Sequence, residues 1–381
     1  MSAKATITGL DPATGQPIAV DITDGRIAAI RAEPSAQQLY LAPGLIDLQV
    51  NGYGGIDLNA DGVTPEQVLA LTQALGRLGV TTFLPTLITG SEARIIGGLK
   101  AIGEARRQSE LVRHAVPFVH VEGPSISPMD GPRGAHPLPH VRAPSLAEFT
   151  RWQDASDGLV GLVTLAPEYG EAPDYIRALS KAGVVVALGH SAALPEHIEA
   201  AAAAGALLST HLGNGAAAML PRHPNFIWSQ LADDRLTATF ITDGHHLPAA
   251  TFKAMLRAKG LERAVLVSDS VSLGGMPPGR YEQPVGGTVE VSADGRIGVA
   301  DTPYLAGAGM PLNGNVAMAI RMAGLSLADG LRLATANPGK FVGGRGRLKV
   351  GAAADLIRFA WQQGDTQLHI ESTFSMGRAL G

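Results

Sequence analysis

The sequence predicts an α/β protein, a closed (β/α)8 TIM barrel with a small β-sandwich domain built from both chain ends. Three observations predict it. Eight short β-rich runs alternate with amphipathic helical segments over roughly 250 residues, the usual size of such a barrel. Polar side chains gather directly after several of these runs. Both chain ends carry short strand-like segments separated by turn signals.

Length and composition indicate a folded enzyme-sized chain. The protein has 381 residues, of which 45% are hydrophobic and 17% charged, which argues against disorder. Its formal net charge of −4 gives no concentrated positive field, so no nucleic acid partner is expected. The chain has no cysteine, which excludes disulfides and zinc–thiolate sites.

The sequence predicts a cytoplasmic protein without a membrane partner. Residues 1–5 (MSAKA) lack the long apolar stretch of a signal peptide. Apolar runs such as residues 184–188 are too short to cross a bilayer.

The chain ends are expected to meet in space. Residues 19–30 indicate a hairpin around the Asp24–Gly25 turn, and β-like segments at 346–351 and 354–359 lie near the other end. Neither end can form a stable sheet alone. We therefore predict one small domain of residues 1–42 and 342–381, with residues 43–341 as a barrel inserted between them.

The middle of the chain repeats a unit of strand, loop and helix. One helix starts at Thr64 with a capping-box pattern, has Pro65 at its first position and ends before Gly79. Its apolar face comprises Val68, Leu71, Leu75 and Leu78. The same order recurs at 174–188 and at 195–210.

Eight strands are predicted in this region, at residues 45–50, 81–85, 118–121, 159–165, 184–188, 207–210, 237–241 and 264–267. They lack strict polar–apolar alternation, as parallel strands buried on both faces do. A doubly wound open sheet is the alternative fold. Residues 287–299 contain an Asp294–Gly295 turn between β-rich arms, which predicts a surface flap near the barrel mouth.

Polar side chains at the carboxyl ends of the predicted strands outline a site, because barrel enzymes take catalytic groups from those ends. They are Glu122 after the third strand, His190 after the fifth, His211 after the sixth, Asp243 and His246 after the seventh, and Asp269 after the eighth.

One carboxylate and two imidazoles form a common catalytic zinc set with an open fourth position. Such an ion acidifies bound water and polarises a carbonyl oxygen, and Asp269 is placed to accept a proton and return it to a leaving nitrogen. A lone histidine at a strand end is more often an ordinary loop residue, and Gly123, Gly189 and Gly213 could be simple turns. Three such side chains on one rim favour the metal site.

At this point the sequence resembles the N-acetylglucosamine-6-phosphate deacetylases, members of the amidohydrolase superfamily. The resemblance covers nearly the whole chain, in order. Its motifs are residues 42–52 (APGLIDLQVNG), 120–124 (HVEGP), 189–191 (GHS), 210–215 (THLGNG), 305–307 (LAG), 336–339 (ANPG) and 350–355 (VGAAAD).

The resemblance implies that Glu122, His190 and His211 hold the metal and that Asp269 is the catalytic acid and base. His136 would hydrogen-bond the acetyl carbonyl and help to stabilise the oxyanion. The substrate-binding residues that it implies are Ala135, His136, Asn214, Gly215, Arg222, His246, Leu305, Ala306 and Gly307.

In this family the arginine that corresponds to Arg222 can reach across a dimer interface, so the resemblance implies a homodimer with a shared site. A guanidinium fork suits a phosphate dianion. Arg222 could also be an ordinary surface charge, and His246 could merely cap a turn.

Two departures qualify the resemblance. The superfamily often has His-x-His at the end of strand one, where this chain has Gln49 and Asn51, poor ligands for a transition metal. We therefore expect one divalent ion per subunit, zinc first, although iron, cobalt or manganese would fit. Gly213 and Gly215 replace bulkier residues, which leaves the sugar epimer open.

The leading hypothesis is hydrolysis of N-acetyl-D-glucosamine 6-phosphate to D-glucosamine 6-phosphate and acetate. An alternative substrate is the galactosamine epimer or another N-acetylated phosphosugar. A second alternative is a different amidohydrolase, acting on a cyclic amide or an N-acyl amino acid, for which Arg222 would be irrelevant. The third is a non-catalytic barrel that serves as a binding module.

Overall fold

Eight parallel strands form one sheet in which spatial neighbours follow the order of the sequence. The structure is a computed structural model that describes residues 4–35, 37–283, 287–302 and 304–380. Within these ranges no helix combines the length and apolarity needed to cross a bilayer.

The strands of the described residues are β1 (Lys4–Leu10), β2 (Pro17–Thr23), β3 (Arg26–Ala32), β4 (Tyr40–Pro43), β5 (Leu45–Val50), β6 (Gly52–Tyr53), β7 (Ile56–Asp57), β8 (Val80–Ile88), β9 (Val119–Glu122), β10 (Val160–Leu165), β11 (Val185–Leu188), β12 (Leu208–Ser209), β13 (Thr237–Phe240), β14 (Ala264–Leu266), β15 (Gly279–Gln283), β16 (Gly287–Val291), β17 (Ile297–Val299), β18 (Leu356–Ala360), β19 (His369–Ser375) and β20 (Arg378–Leu380).

The α-helices of the same ranges are α1 (Pro65–Arg77), α2 (Glu92–Gln108), α3 (Glu110–Ala115), α4 (Leu146–Ser156), α5 (Ala172–Lys181), α6 (Pro195–Ala204), α7 (Phe226–Ala232), α8 (Ala249–Lys259), α9 (Leu312–Ala323), α10 (Leu327–Leu333) and α11 (Ala336–Gly339). Short 3-10 turns lie at Leu138–His140 and Leu261–Arg263.

The sheet closes into a barrel. Its order is β5, β8, β9, β10, β11, β12, β13 and β14, and Val50 pairs in parallel with Ser270 to join the first strand to the end of the last. The Asp269 N–H donates to the Gln49 carbonyl at 3.0 Å across the same seam. The predicted TIM barrel is confirmed, since a doubly wound sheet would break the sequential order.

Apolar side chains fill the barrel except at its carboxyl end. The interior cluster comprises Ile46, Leu48, Leu84, Leu162, Ala187, Leu208, Ile241, Val265, Val267, Ala308 and Val342. A larger layer, including Phe83, Leu99, Phe240 and Phe252, packs between strands and helices. A cavity inside the barrel must therefore lie above these apolar side chains, at the carboxyl ends of the strands.

The second barrel strand is longer than the sequence predicted. We expected it to end at Pro85, but β8 continues to Ile88. Pro85 lies opposite Val50, where the pairing register of β5 and β8 shifts, and a proline is tolerated at such an irregularity. The extension carries Thr86 and Thr89 to the rim of the barrel.

Helix α1 forms as its sequence predicts. The Thr64 hydroxyl accepts from the Gln67 N–H at 3.4 Å, while the Gln67 side chain accepts from the Thr64 N–H at 2.9 Å. Val68, Leu71 and Leu75 are buried on one face.

Strands from both chain ends form one mixed sheet in the order β20, β19, β18, β4, β1, β2 and β3. Pro43 pairs with Leu356, which joins the two ends directly. The expected β-like segment at 346–351 is not a strand, because Gly346 and Gly351 both adopt positive φ angles. The domain bounds 1–42, 342–381 and 43–341 stay a prediction.

A three-stranded antiparallel sheet of β15, β16 and β17 forms the predicted flap. The Asp294–Gly295 turn joins β16 to β17, with the Ser292 N–H donating to the Arg296 carbonyl at 2.9 Å. Its apolar underside, which includes Val289 and Ile297, packs as a separate small cluster.

Lys259, at the end of α8, is a buried cation that should make stability depend on pH. Its Nζ donates to the carbonyl oxygens of Gln230 (2.8 Å) and Asp233 (2.6 Å), and burial lowers its pKa from 10.5 to about 8. Between these values the unfolded chain holds more protons at this site than the folded chain. The free energy of unfolding should therefore rise with pH in that window.

We expect Lys259→Met to lose that rise, whereas the exposed Lys100→Met control keeps it. Urea unfolding at several pH values between 7.5 and 11 measures the difference. A wild-type minus Lys259→Met difference that stays flat across this range would contradict the assignment.

Candidate active site

A cavity of about 380 Å³ opens at the carboxyl ends of the barrel strands. The predicted site residues that line it are Glu122, Ala135, His136, His190, His211, Asn214, Gly215, His246, Asp269, Leu305, Ala306 and Gly307. Arg222 does not line it and is exposed. The structure therefore brings together the predicted residues except Arg222.

Three of these residues have unusual backbones. His190, His211 and Asp269 have φ angles of 51°, 30° and 48°, in the left-handed region that side chains other than glycine rarely adopt. Such conformations cost on the order of 1–3 kcal/mol each and persist where the surroundings impose them. All three follow barrel strands, and their side chains line the cavity at the mouth of the barrel.

Glu122 is the centre of the site. Its Oε1 lies 3.1 Å from His211 Nε2, 3.3 Å from His190 Nε2 and 2.9 Å from Gln49 Nε2. Burial alone would raise the pKa of Glu122, but the facing imidazoles of His190 and His211 hold it well below its usual range. Glu122 is therefore ionised, as a metal ligand must be.

The two imidazoles that face Glu122 are differently supported. His190 Nδ1 lies 2.9 Å from the Pro132 carbonyl, which can only accept, so Nδ1 carries a proton and Nε2 is free to bind a cation. His211 Nδ1 is buried and has no partner among the described residues. Burial opposes protonation of His211, but the Glu122 carboxylate raises its pKa.

This donor set fits a divalent ion. Two imidazole nitrogens and one carboxylate oxygen converge, which is a common set for a catalytic zinc. His136 is a further imidazole at the same place, because ligand atoms of Glu122, His136 and His190 lie within 4.8 Å of one another. Position alone therefore does not distinguish His136 from a ligand.

Asp269 lies beside this cluster and is held by Asn51. Asn51 Nδ2 donates to Asp269 Oδ1 at 2.7 Å. Burial raises the pKa of Asp269 to about 6, and the negative charge of Glu122 acts in the same direction. A carboxyl group with a pKa near neutrality is suited to both accept and donate a proton.

His136 and His246 are both oriented by neighbours. His136 Nδ1 lies 2.8 Å from the Thr89 hydroxyl, and burial lowers the pKa of His136 to about 3. His246 Nδ1 lies 2.7 Å from Asp243 Oδ2, and Asp243 Oδ1 also accepts from the His246 N–H. His246 therefore does more than cap a turn, since its ring is fixed at the cavity wall.

Gly189 is more than a strand–loop turn. A Cβ at this position would lie 2.7 Å from Thr210 Cβ and 2.9 Å from Thr164 Cγ2. Only glycine fits between these two threonines, whose hydroxyls are 2.8 Å apart. The residue before His190 is thus fixed by close packing.

Several residues at or behind the cavity wall were not identified from the sequence. Thr89 orients His136, Gln283 and Val289 bring the flap to the cavity wall, and Tyr304, beyond β17, also lines the cavity. Asp243, which the sequence did place after the seventh strand, orients His246. Thr89 was missed because the second strand was predicted too short.

Comparisons with known proteins agree with this geometry. The sequence model of the amidohydrolase family matches residues 40–380. An N-acetylglucosamine-6-phosphate deacetylase of Bos taurus is 36% identical over 89% of this chain and 83% of its own. An N-acetylgalactosamine-6-phosphate deacetylase of Escherichia coli O157:H7 is 32% identical over 94% and 93%.

Solved structures give the same result. A mutant N-acetyl-D-glucosamine-6-phosphate deacetylase of Mycobacterium smegmatis, in complex with N-acetyl-D-glucosamine-6-phosphate, superposes with a TM-score of 0.87 at 27% identity over 99% of both chains. The enzyme of Thermotoga maritima has a TM-score of 0.85 at 26% identity, again over 99% of both. The chain is a hydrolase of amide bonds and belongs to the amidohydrolase family, within the N-acetylglucosamine-6-phosphate deacetylases.

Proposed function

We propose that the protein hydrolyses N-acetyl-D-glucosamine 6-phosphate to D-glucosamine 6-phosphate and acetate. Water adds its hydroxyl to the acetyl carbon and its proton to the sugar nitrogen as the C–N bond breaks. The observation that carries the proposal is the convergence of Glu122, His190, His211 and Asp269 in one cavity. The names of the relatives support the substrate.

Glu122, His190 and His211 would hold the metal in this proposal. When bound, a divalent ion supplies Lewis acidity that polarises a carbonyl and acidifies water. We propose that each chain binds one ion and that this ion is zinc. A second ion would have to be held by the side-chain amides of Gln49 and Asn51. These amides donate N–H groups to the neighbouring carboxylates, Gln49 to Glu122 and Asn51 to Asp269.

The chain's own groups perform the proton transfers. Asp269 accepts a proton from the attacking water and returns it to the leaving nitrogen, while Asn51 fixes one of its carboxylate oxygens. His136 donates to the acetyl carbonyl oxygen as negative charge develops there. Neutral His136 suits this role, because its pKa of about 3 keeps the ring uncharged at pH 7.

The remaining wall of the cavity would hold the sugar phosphate. Asn214, Gly215 and His246 lie on one side, and the turn at Leu305, Ala306 and Gly307 follows the flap. Ala135 precedes His136 and would contact the sugar beside the acetyl group.

Steady-state kinetics with a matched set of substrates test this function. We expect the highest kcat/KM with N-acetyl-D-glucosamine 6-phosphate, a lower value with its galactosamine epimer and a much lower value with unphosphorylated N-acetylglucosamine. A higher kcat/KM with the galactosamine epimer would change the assigned substrate. The E. coli relative is named for that epimer, so it belongs in the substrate set. Preference for an N-acyl amino acid would replace the proposal.

We further propose a cytoplasmic homodimer in which Arg222 serves the neighbouring subunit's site. Arg222 is exposed and does not line its own cavity. Met219 and Trp228, near it in the chain, are 89% and 55% exposed, which suits a surface that a second copy covers. A phosphosugar dianion is retained inside cells because charge does not cross membranes readily.

Arg222→Met should raise the KM for the phosphosugar roughly ten- to hundredfold, because a guanidinium–phosphate hydrogen bond is lost. Arg257→Met, on the exposed side of α8, is the control. Mixing Arg222→Met with Asp269→Asn chains should restore roughly a quarter of the wild-type kcat/KM, since half of the random dimers contain one intact site. No recovery after mixing would contradict the shared site.

A further inference from the structure

Thr89 is fully buried directly after β8 and touches one of the site histidines. Its Oγ1 lies 2.8 Å from His136 Nδ1. Among the described residues, neither atom has another hydrogen-bond partner. Arg94 Nη2 donates to the Thr89 carbonyl at 2.6 Å and fixes the backbone at this point.

The hydrogen on the Thr89 hydroxyl decides the state of His136. A buried O–H group needs an acceptor, and His136 Nδ1 is the one within reach in the described part of the chain. If Thr89 donates, Nδ1 carries no proton and the neutral ring must carry its proton on Nε2. The reverse arrangement would leave the hydroxyl hydrogen buried without an acceptor, which costs about 1–3 kcal/mol.

We propose that Thr89 is a positioning residue that holds His136 in the Nε2–H tautomer, as a hydrogen-bond donor to the acyl oxygen and not as a metal ligand. A metal ligand must offer a bare nitrogen lone pair. His136 lies close enough to Glu122 and His190 to join them around an ion, and the tautomer prevents it. The inference rests on the proposed deacetylation for the identity of the acyl group.

Gly123 supports this role, since it leaves room for the Thr89 hydroxyl. A Cβ at position 123 would lie 2.2 Å from Thr89 Oγ1, so any other residue would displace the hydroxyl from His136. Gly123 directly follows Glu122, and its φ of 85° is also unfavourable for other residues. The glycine after Glu122 therefore allows Thr89 to contact His136, and this contact sets the tautomer of the imidazole.

Two substitutions separate the hydroxyl from the shape of the side chain. Thr89→Val keeps the shape and removes the hydroxyl, and Thr89→Ser keeps the hydroxyl. In the metal-loaded protein acting on N-acetyl-D-glucosamine 6-phosphate, Thr89→Val should lower kcat roughly ten- to hundredfold with KM within about threefold of wild type. Thr89→Ser should stay within about threefold in both constants, and metal content should not change in either.

Nitrogen-15 NMR of the histidine rings tests the tautomer directly, with His136 assigned by its loss in His136→Gln. In metal-loaded wild type the proton should lie on Nε2. A proton on Nδ1, or wild-type kcat in Thr89→Val, would overturn the inference. The NMR result does not depend on turnover or on the folding of any Thr89 variant. If wild type releases no acetate while Nε2 is protonated, the proposed function fails and the tautomer assignment stands.

Discussion

Asp269→Asn is expected to lower kcat by on the order of a hundredfold or more while the protein keeps its metal. The amide preserves size but cannot accept a proton from water at neutral pH, so general acid–base catalysis is lost. Asp269 lies beside the ligand cluster, and no predicted ligand is altered. The measurement is kcat with N-acetyl-D-glucosamine 6-phosphate, with metal content determined on the same sample.

Asp234→Asn is the matched control, because its side chain is 78% exposed and pairs with Arg263 at the surface. It should behave as wild type. An Asp269→Asn protein with near-normal kcat would refute the proton-transfer role. Loss of metal from this variant would instead identify Asp269 as a ligand.

Glu122→Gln should abolish both metal binding and activity, with kcat/KM falling by on the order of a thousandfold or more. The substitution is close to isosteric, so the lost property is negative charge. Without that charge, the amide cannot favour a cation between His190 and His211 as the carboxylate does. The measurement is metal per chain after equilibrium dialysis, alongside kcat/KM.

Glu148→Gln controls for the removal of a buried carboxylate elsewhere. Glu148 is 6% exposed and pairs with Arg142, so its loss should lower stability but leave metal content unchanged. Equal metal content in Glu122→Gln and wild type would contradict the assigned ligand set.

The barrel was predictable because its determinants are local. Seven of the eight predicted strands match the observed strands to within two residues at each end, since buried parallel strands are short β-rich runs. The second strand was predicted too short because Pro85 reads as a strand end. The sheet accommodates Pro85 because the pairing register of β5 and β8 shifts at this point, and such a shift is a tertiary property.

The acidic and imidazole groups of the site were predictable from their place after strands, whereas their supports were not. Asn51 holds Asp269 across 218 positions of sequence, and Thr89 contacts His136 across 47. Such contacts depend on side-chain direction at the closed rim. The positive φ angles of His190, His211 and Asp269 could not be predicted from the sequence pattern either.

The role of Arg222 could not be predicted from a single chain. The family resemblance assigned it to the phosphate, yet the structure leaves it exposed and away from the cavity. The role proposed for it depends on a second subunit, so neither the sequence nor the single chain determines it.

Titration of the metal-stripped protein with zinc, followed by acetate release from N-acetyl-D-glucosamine 6-phosphate, tests whether one bound ion per chain supports the reaction. Acetate release should rise linearly with added zinc, stop rising at one equivalent per chain, and match glucosamine 6-phosphate mole for mole. Acetate release that does not depend on zinc, or no release above the metal-stripped control at any zinc concentration, would contradict a single ion held by Glu122, His190 and His211 beside Asp269.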